Sequence, residues 1–150
     1  MPEKATLERA QRDKRAGKAP TTQAGEFVHE EIHHVREGKH GARSAKQAIA
    51  IGLAKARRAG VKLPPPPASA TARTKQSAKS AARGAAHPRR RPSAKRSRAA
   101  LTALKHEGRG AVSKKALSRH AHASARRRPA AARRAAAPKA AGTRQRRQST

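Results

Sequence analysis

The chain of 150 residues contains no cysteine, no tryptophan and no tyrosine, and Phe27 is its single phenylalanine. The first absence excludes disulfides and thiolate metal sites. The lack of aromatics removes the platforms on which single-strand and RNA-recognition modules stack bases. It also removes the anchors that amphipathic helices sink into a membrane surface, so no membrane partner is expected. No apolar run approaches the length of a membrane span. The N-terminus has no apolar stretch of signal-peptide type, and Glu3, Glu8 and Asp13 are out of place in a transit peptide. A cytoplasmic protein is expected.

Acidic residues are scarce as well. Eight Asp/Glu face 38 Lys/Arg, for a formal net charge of +30. Seven of the eight acids lie within residues 1–37, and the eighth is Glu107. Residues 41–150 therefore carry thirty Lys/Arg against one acid. Charge of one sign at this density repels itself unless a polyanion neutralises it. DNA is the expected partner, with RNA as the alternative.

Bulky apolar side chains are the third scarcity. Val, Ile, Leu, Met and Phe together number fifteen, and nine of these fall between Phe27 and Leu63. Low bulk hydrophobicity with high net charge is the signature of disorder. The expected fold is thus mostly disordered, with a small all-α part. Residues 1–20 read as a mixed-charge leader and 21–63 as a helical hairpin module. Pro64 to Pro67 read as a linker that ends any helix. Residues 68–150 read as a low-complexity basic tail, with short helices at about 93–107 and 113–128.

The hairpin, at about 22–59, has local support. Val28, Ile32 and Val35 recur at helical spacing beside Phe27. Gly38 suits a C-terminal cap. Ser44 and Gln47 form the Ser-x-x-Gln pattern of a capping box, and Gly60 followed by Val61 fits a Schellman ending. Ile49, Leu53 and Ala56 share one face, with Ala45 and Gly52 alongside. A module this small is marginal alone, so self-association or a protein partner would add to its stability.

Residues 29–33, His-Glu-Glu-Ile-His, match the H-E-x-x-H pattern of zinc peptidases. His29 and His33 would share a helix side, and Glu30 would be the base. The chain offers no persuasive third ligand and no means of building a cleft. His29 and His33 are therefore weak metal candidates only; no cofactor and no catalytic residue is assigned, and the protein is read as a non-enzyme. Residues 72–77, Ala-Arg-Thr-Lys-Gln-Ser, resemble the start of the histone H3 tail, which composition alone accounts for.

Basic clusters carry the main functional signal. The phosphate-contacting candidates are Arg43, Lys46, Lys55, Arg57, Arg58 and Lys62 in the hairpin module. In the tail they are Arg89, Arg90, Arg91, Lys95, Arg96, Arg126, Arg127, Arg128, Arg133, Arg134, Arg146 and Arg147. Each such contact releases counterions from the nucleic acid and makes binding salt-dependent. No base-reading motif accompanies them.

Residues 44–60, SAKQAIAIGLAKARRAG, resemble a family of small basic bacterial proteins of unknown function. That family carries a QAIAIGL-x-x-AR-x-x-G signature and a Lys/Arg/Ala-rich tail. Its members are often labelled DNA-binding or plasmid-stabilisation proteins, and the tail here looks linker-histone-like. The resemblance implies a bacterial, nucleoid-associated protein that binds DNA without sequence preference. Two alternatives stand beside it: an RNA- or ribosome-associated basic protein, and a partner-recruiting helical module tethered to DNA by its tail.

Overall fold

A computed structural model describes residues 1–86 and 93–135, together with residues 138, 141 and 145. It divides into two compact units, residues 1–113 and 114–150. Among the described residues, the first contains five α-helices: α1 (Lys4–Arg15), α2 (Pro20–Arg36), α3 (Ala45–Arg58), α4 (Ala72–Ala86) and α5 (Ala94–Lys105). A 3-10 turn, Gly110–Val112, follows α5. The second unit contains α6 (Lys114–Arg126) and a further helical stretch at residues 130–135.

The expectation of a mostly disordered chain is overturned: helices account for most of the described residues, and four of the six lie outside the hairpin. The error came from discounting alanine. Ala10, Ala24, Ala42, Ala45, Ala48, Ala56 and Ala81 are all buried, and alanine is also the strongest helix former. Helices faced with small residues approach closely, so a core forms with few bulky side chains.

At the centre α2 and α3 lie antiparallel. Phe27 and Ala24 pack with Ala56, Val28 lies beside Gly52, and Val35 packs with Ala48. Small residues form the buried ridge of α3, while Ile49, Ile51 and Leu53 are only half-buried. Gly52 is required there. A Cβ at this position would sit 2.7 Å from the Cα of Val28 and 3.0 Å from the carbonyl oxygen of Phe27.

Local chemistry sets the helix ends. The Ser44 hydroxyl accepts from the Gln47 N–H at 3.2 Å, and the Gln47 amide oxygen accepts from the Arg43 N–H at 2.9 Å. At the end of α2, Gly38 adopts φ of 79°, and the Lys39 N–H donates back to the His34 carbonyl at 2.9 Å. This Schellman turn reverses the chain toward His40.

The leader is part of the fold. In α1, Thr6, Ala10 and Asp13 are buried, and Leu7 and Ala10 join the cluster around Phe27. Val61 and Leu63 close the same cluster from the other side. The proline run does not end the folded region either, since α4 packs along α3 beyond it. Its contact stripe is Ala78, Ala81 and Gly84, with a Cβ at Gly84 reaching 3.7 Å from Arg58 Cγ.

The segment after α5 returns to the core. Val112 is fully buried with Val35, Ala42 and Ala48. The Gly41 N–H donates to the Leu104 carbonyl at 2.8 Å, and the Ala42 N–H to the Gly108 carbonyl at 3.1 Å. Gly41 packs so closely on the Glu107 carbonyl that a Cβ would overlap it. A chain segment read as tail thus completes the first unit.

Candidate nucleic-acid interface and a buried histidine–carboxylate cluster

Seven of the eight acids lie against cations of the first unit. Arg9 pairs with Glu26 at 2.6 Å, Lys18 with Asp13 at 2.7 Å, and Arg43 with Glu107 at 3.1 Å. Lys39 contacts both Glu3, at 3.3 Å, and Glu37, at 3.1 Å. These pairs sit on or near the surface, so each contributes little to stability. They do remove most of the few negative charges from competition for the remaining cations.

The sequence candidates fare differently. Lys55 is mostly buried: its Nζ lies 3.1 Å from Glu30 Oε1 and 2.7 Å from Glu31 Oε2. Burial opposes charge on this lysine, but the contacts with Glu31 and Glu30 outweigh it and hold its pKa above the usual 10.5. It is a structural cation, turned away from any ligand in solvent. Arg57 is half-buried and donates to the Pro64 carbonyl at 3.2 Å. Lys46, Arg58 and Lys62 are exposed, as is Arg43 beside its partner Glu107.

Further along, α4 adds Arg73, Lys79 and Arg83, and α5 adds Lys95, Arg96, Arg98 and Lys105, all exposed. The α4 and α5 residues other than Lys95 and Arg96 carry no cluster signal in the sequence, because they stand singly between neutral residues. Helical periodicity spreads single cations around a helix just as effectively.

In the second unit, Lys114, Lys115, Arg119, Arg126, Arg127, Arg128, Arg133 and Arg134 are all exposed. Residues 114–150 contain twelve Lys/Arg and no acid. Arg89, Arg90, Arg91, Arg146 and Arg147 lie outside the described residues. The histone-like stretch 72–77 forms the start of α4.

The H-E-x-x-H register does not build a catalytic site. The rings of His29 and His33 do adjoin, with centroids 4.5 Å apart, and both are exposed. Glu30 points elsewhere, into the protein. Its Oε2 accepts from the Glu3 N–H at 3.1 Å and its Oε1 faces Lys55. Burial alone would raise the Glu30 pKa, yet the Glu3 N–H, the Thr6 hydroxyl and Lys55 together hold it below 4.5. A carboxylate so engaged is a poor base for a metal-bound water.

One residue further along α2 lies a different constellation. Ligand atoms of Glu31, His34 and His40 all fall within 4.8 Å of one another. Glu31 is 1% exposed, and His34 and His40 are 13% and 12% exposed at the side chain, so the group is largely shielded. His40 Nε2 lies 3.3 Å from Glu31 Oε1, and His34 Nε2 lies 2.8 Å from Glu3 Oε1. The His34 contact, then Lys39, holds the Glu3 carboxyl below its usual range. Sequence reading missed this group because His40 reaches it only through the reversal at Gly38.

Residues 12–66 match a family of unknown function, DUF6496. The matched segment runs from the end of α1 to the proline run and includes Glu31, His34, His40 and Lys55. No curated protein and no solved structure matches the chain. Among the described residues, no helix is long and apolar enough to cross a membrane.

Proposed function

We propose that this protein binds nucleic acid without sequence preference, as a histone-like DNA-binding protein, through lysine and arginine contacts to phosphates. The observation that carries the reading is the sorting of charge. Seven of the eight acids lie against cations within the first unit, while Arg73, Lys79 and Arg83 of α4, the cations of α5 and those of residues 114–135 face solvent with one acid, Glu107, among them in sequence. Phosphate contacts of this kind position a protein without reading bases.

Duplex DNA is preferred over single-stranded RNA as the ligand because single-strand recognition relies largely on aromatic stacking, for which this chain has only Phe27, and that ring is buried. Alanine-rich helices interrupted by prolines suit a ligand met along its backbone. The reading involves no catalytic step.

The test is a salt titration of duplex DNA binding by the full chain. Affinity should fall steeply, with the log–log slope reporting about 0.9 per phosphate neutralised. Replacing Arg126, Arg127, Arg128, Arg133 and Arg134 with glutamine should flatten that slope by several units. Binding unaffected by salt, or by these five replacements, would sink the proposal. Tighter binding to structured RNA than to duplex DNA at equal salt would move it to RNA.

A further inference from the structure

We propose that Glu31, His34 and His40 form a binding site for a divalent transition-metal ion of the zinc type, with the Glu3 carboxylate as a fourth donor. Two imidazoles with carboxylate oxygens suit zinc or cobalt(II). Calcium and magnesium favour sets made of oxygen alone.

The argument starts from His40. Its Nδ1 lies 3.1 Å from the Gly41 carbonyl oxygen, a partner that accepts only. Its Nε2 faces an acceptor too, Glu31 Oε1 at 3.3 Å. A neutral imidazole carries one N–H. With that hydrogen on Nδ1, oriented by the backbone carbonyl, the Nε2 lone pair points at a carboxylate oxygen. A cation between the two atoms turns that repulsion into ligation. A backbone carbonyl on the far nitrogen is also the usual arrangement that orients a metal-bound histidine.

The remaining donors follow from the fold. Glu31 and His34 are three apart on α2 and therefore project from one side of the helix. The rings of His34 and His40 lie edge to face, with centroids 6.1 Å apart. Glu3, at the start of α1, brings its carboxylate to His34. A tetrahedral ion bonded at about 2.0–2.1 Å needs ligand atoms about 3.3 Å apart. Ligand atoms of Glu31, His34 and His40 already lie within 4.8 Å of one another, and Glu3 Oε1 stands 2.8 Å from His34 Nε2, so an ion entering the group has these donors at hand.

Charge is arranged to suit. Lys55 occupies Glu31 Oε2 as an ion pair without hydrogen-bond alignment, and leaves Oε1 toward His40. Glu3, Glu30, Glu31 and Glu37 outnumber Arg9, Lys39 and Lys55 by one in this neighbourhood, so a chain of net charge +30 holds a small local excess of negative charge here. Glu3 and His34 also line an open cleft of about 240 Å³, so the outer side of the group meets solvent.

The experiment uses the full chain free of nucleic acid, titrated with zinc chloride by calorimetry and with cobalt chloride by visible absorption. Expected are one saturable equivalent, cobalt bands of a low-coordinate nitrogen–oxygen site, and a higher melting temperature with zinc. His34→Ala and His40→Gln should each weaken binding about tenfold or more. His29→Ala and His33→Ala should leave it unchanged. Binding that survives the first two replacements, or is lost with the second two, overturns the proposal. Absence of the cobalt bands in the unaltered chain overturns it however the variants fold.

Discussion

The guanidinium of Arg36 closes on the carbonyl oxygen of Val112, with Nε at 3.3 Å and Nη2 at 3.1 Å. It joins the last turn of α2 to a residue 76 positions away. Val112 itself fills the core between Val35, Ala42 and Ala48. The hairpin is therefore finished by chain that lies far beyond the proline run.

Val112→Ala should accordingly destabilise the first unit by about 1–3 kcal/mol, the usual range for losing part of a buried apolar side chain. Urea unfolding followed by circular dichroism measures this. Leu101→Ala is the comparison, since Leu101 is 44% exposed; it should cost well under half as much. Equal costs would mean that Val112 contributes no packing.

Gly52→Ala adds one methyl group where Val28 Cα already lies 2.7 Å from the Cβ position. Backbone cannot yield as a flexible side chain does, so α2 and α3 must separate. The expected cost is about 1–3 kcal/mol, as for other overpacked cores. A melting temperature equal to or above that of the unaltered chain would contradict this contact.

Lys55→Met tests the buried triad. Removing the cation leaves Glu30 and Glu31 without the charge they share, although the Glu3 N–H still serves Glu30 and His40 still faces Glu31; breaking a buried pair in this way costs about 3–5 kcal/mol at most. DNA affinity of the folded fraction should keep the same salt slope, because Lys55 faces inward. Lys46→Ala at an exposed site should do the reverse: almost no change in stability, and a slope shallower by about one contact. Both effects appear in paired denaturation and salt titrations.

Acid should unfold the protein partly through Glu30. Its carboxyl is held below the ordinary value of 4.5, by the Glu3 N–H, Thr6 and Lys55 acting against burial. A depressed carboxylate contributes stability that is present above 4.5 and lost as pH falls through the lower folded value. The Lys55 pKa is raised above 10.5, so its own contribution is lost only in strong alkali. Melting temperature should drop as pH is taken below about 4.5, and Glu30→Gln should make that drop shallower. A drop of the same size in the variant would assign acid lability to other carboxylates.

How much of this was written in the sequence depends on the kind of signal. The C-terminal end of α2 and both ends of α3 were legible because Gly38, Ser44, Gln47 and Gly60 act locally, through hydrogen bonds within a few residues. The burial of α1 and α4 was not, because Ala10, Ala78 and Ala81 carry no signal in hydropathy that distinguishes packing from mere helix propensity. Val112 stands alone among small and polar residues in the sequence, and only the tertiary fold places it beside Val35. The cationic character of the chain was legible at once. Lys55 was misassigned because sequence does not reveal which lysine faces two carboxylates. The histidine cluster was one register away from the pattern that sequence suggested.

The alanine and glycine ridge between α2, α3 and α4 has a consequence for how this protein tolerates change. Most cores are limited from below: a residue must be greasy enough to stay inside. Here Ala48, Gly52, Ala56 and Ala81 sit where helices nearly touch, so the constraint comes from above, as a ceiling on side-chain volume. Serine should be accepted at Ala48 or Ala81 more readily than leucine, although leucine is the more hydrophobic. A deep mutational scan would then rank substitutions at these positions by size first and polarity second.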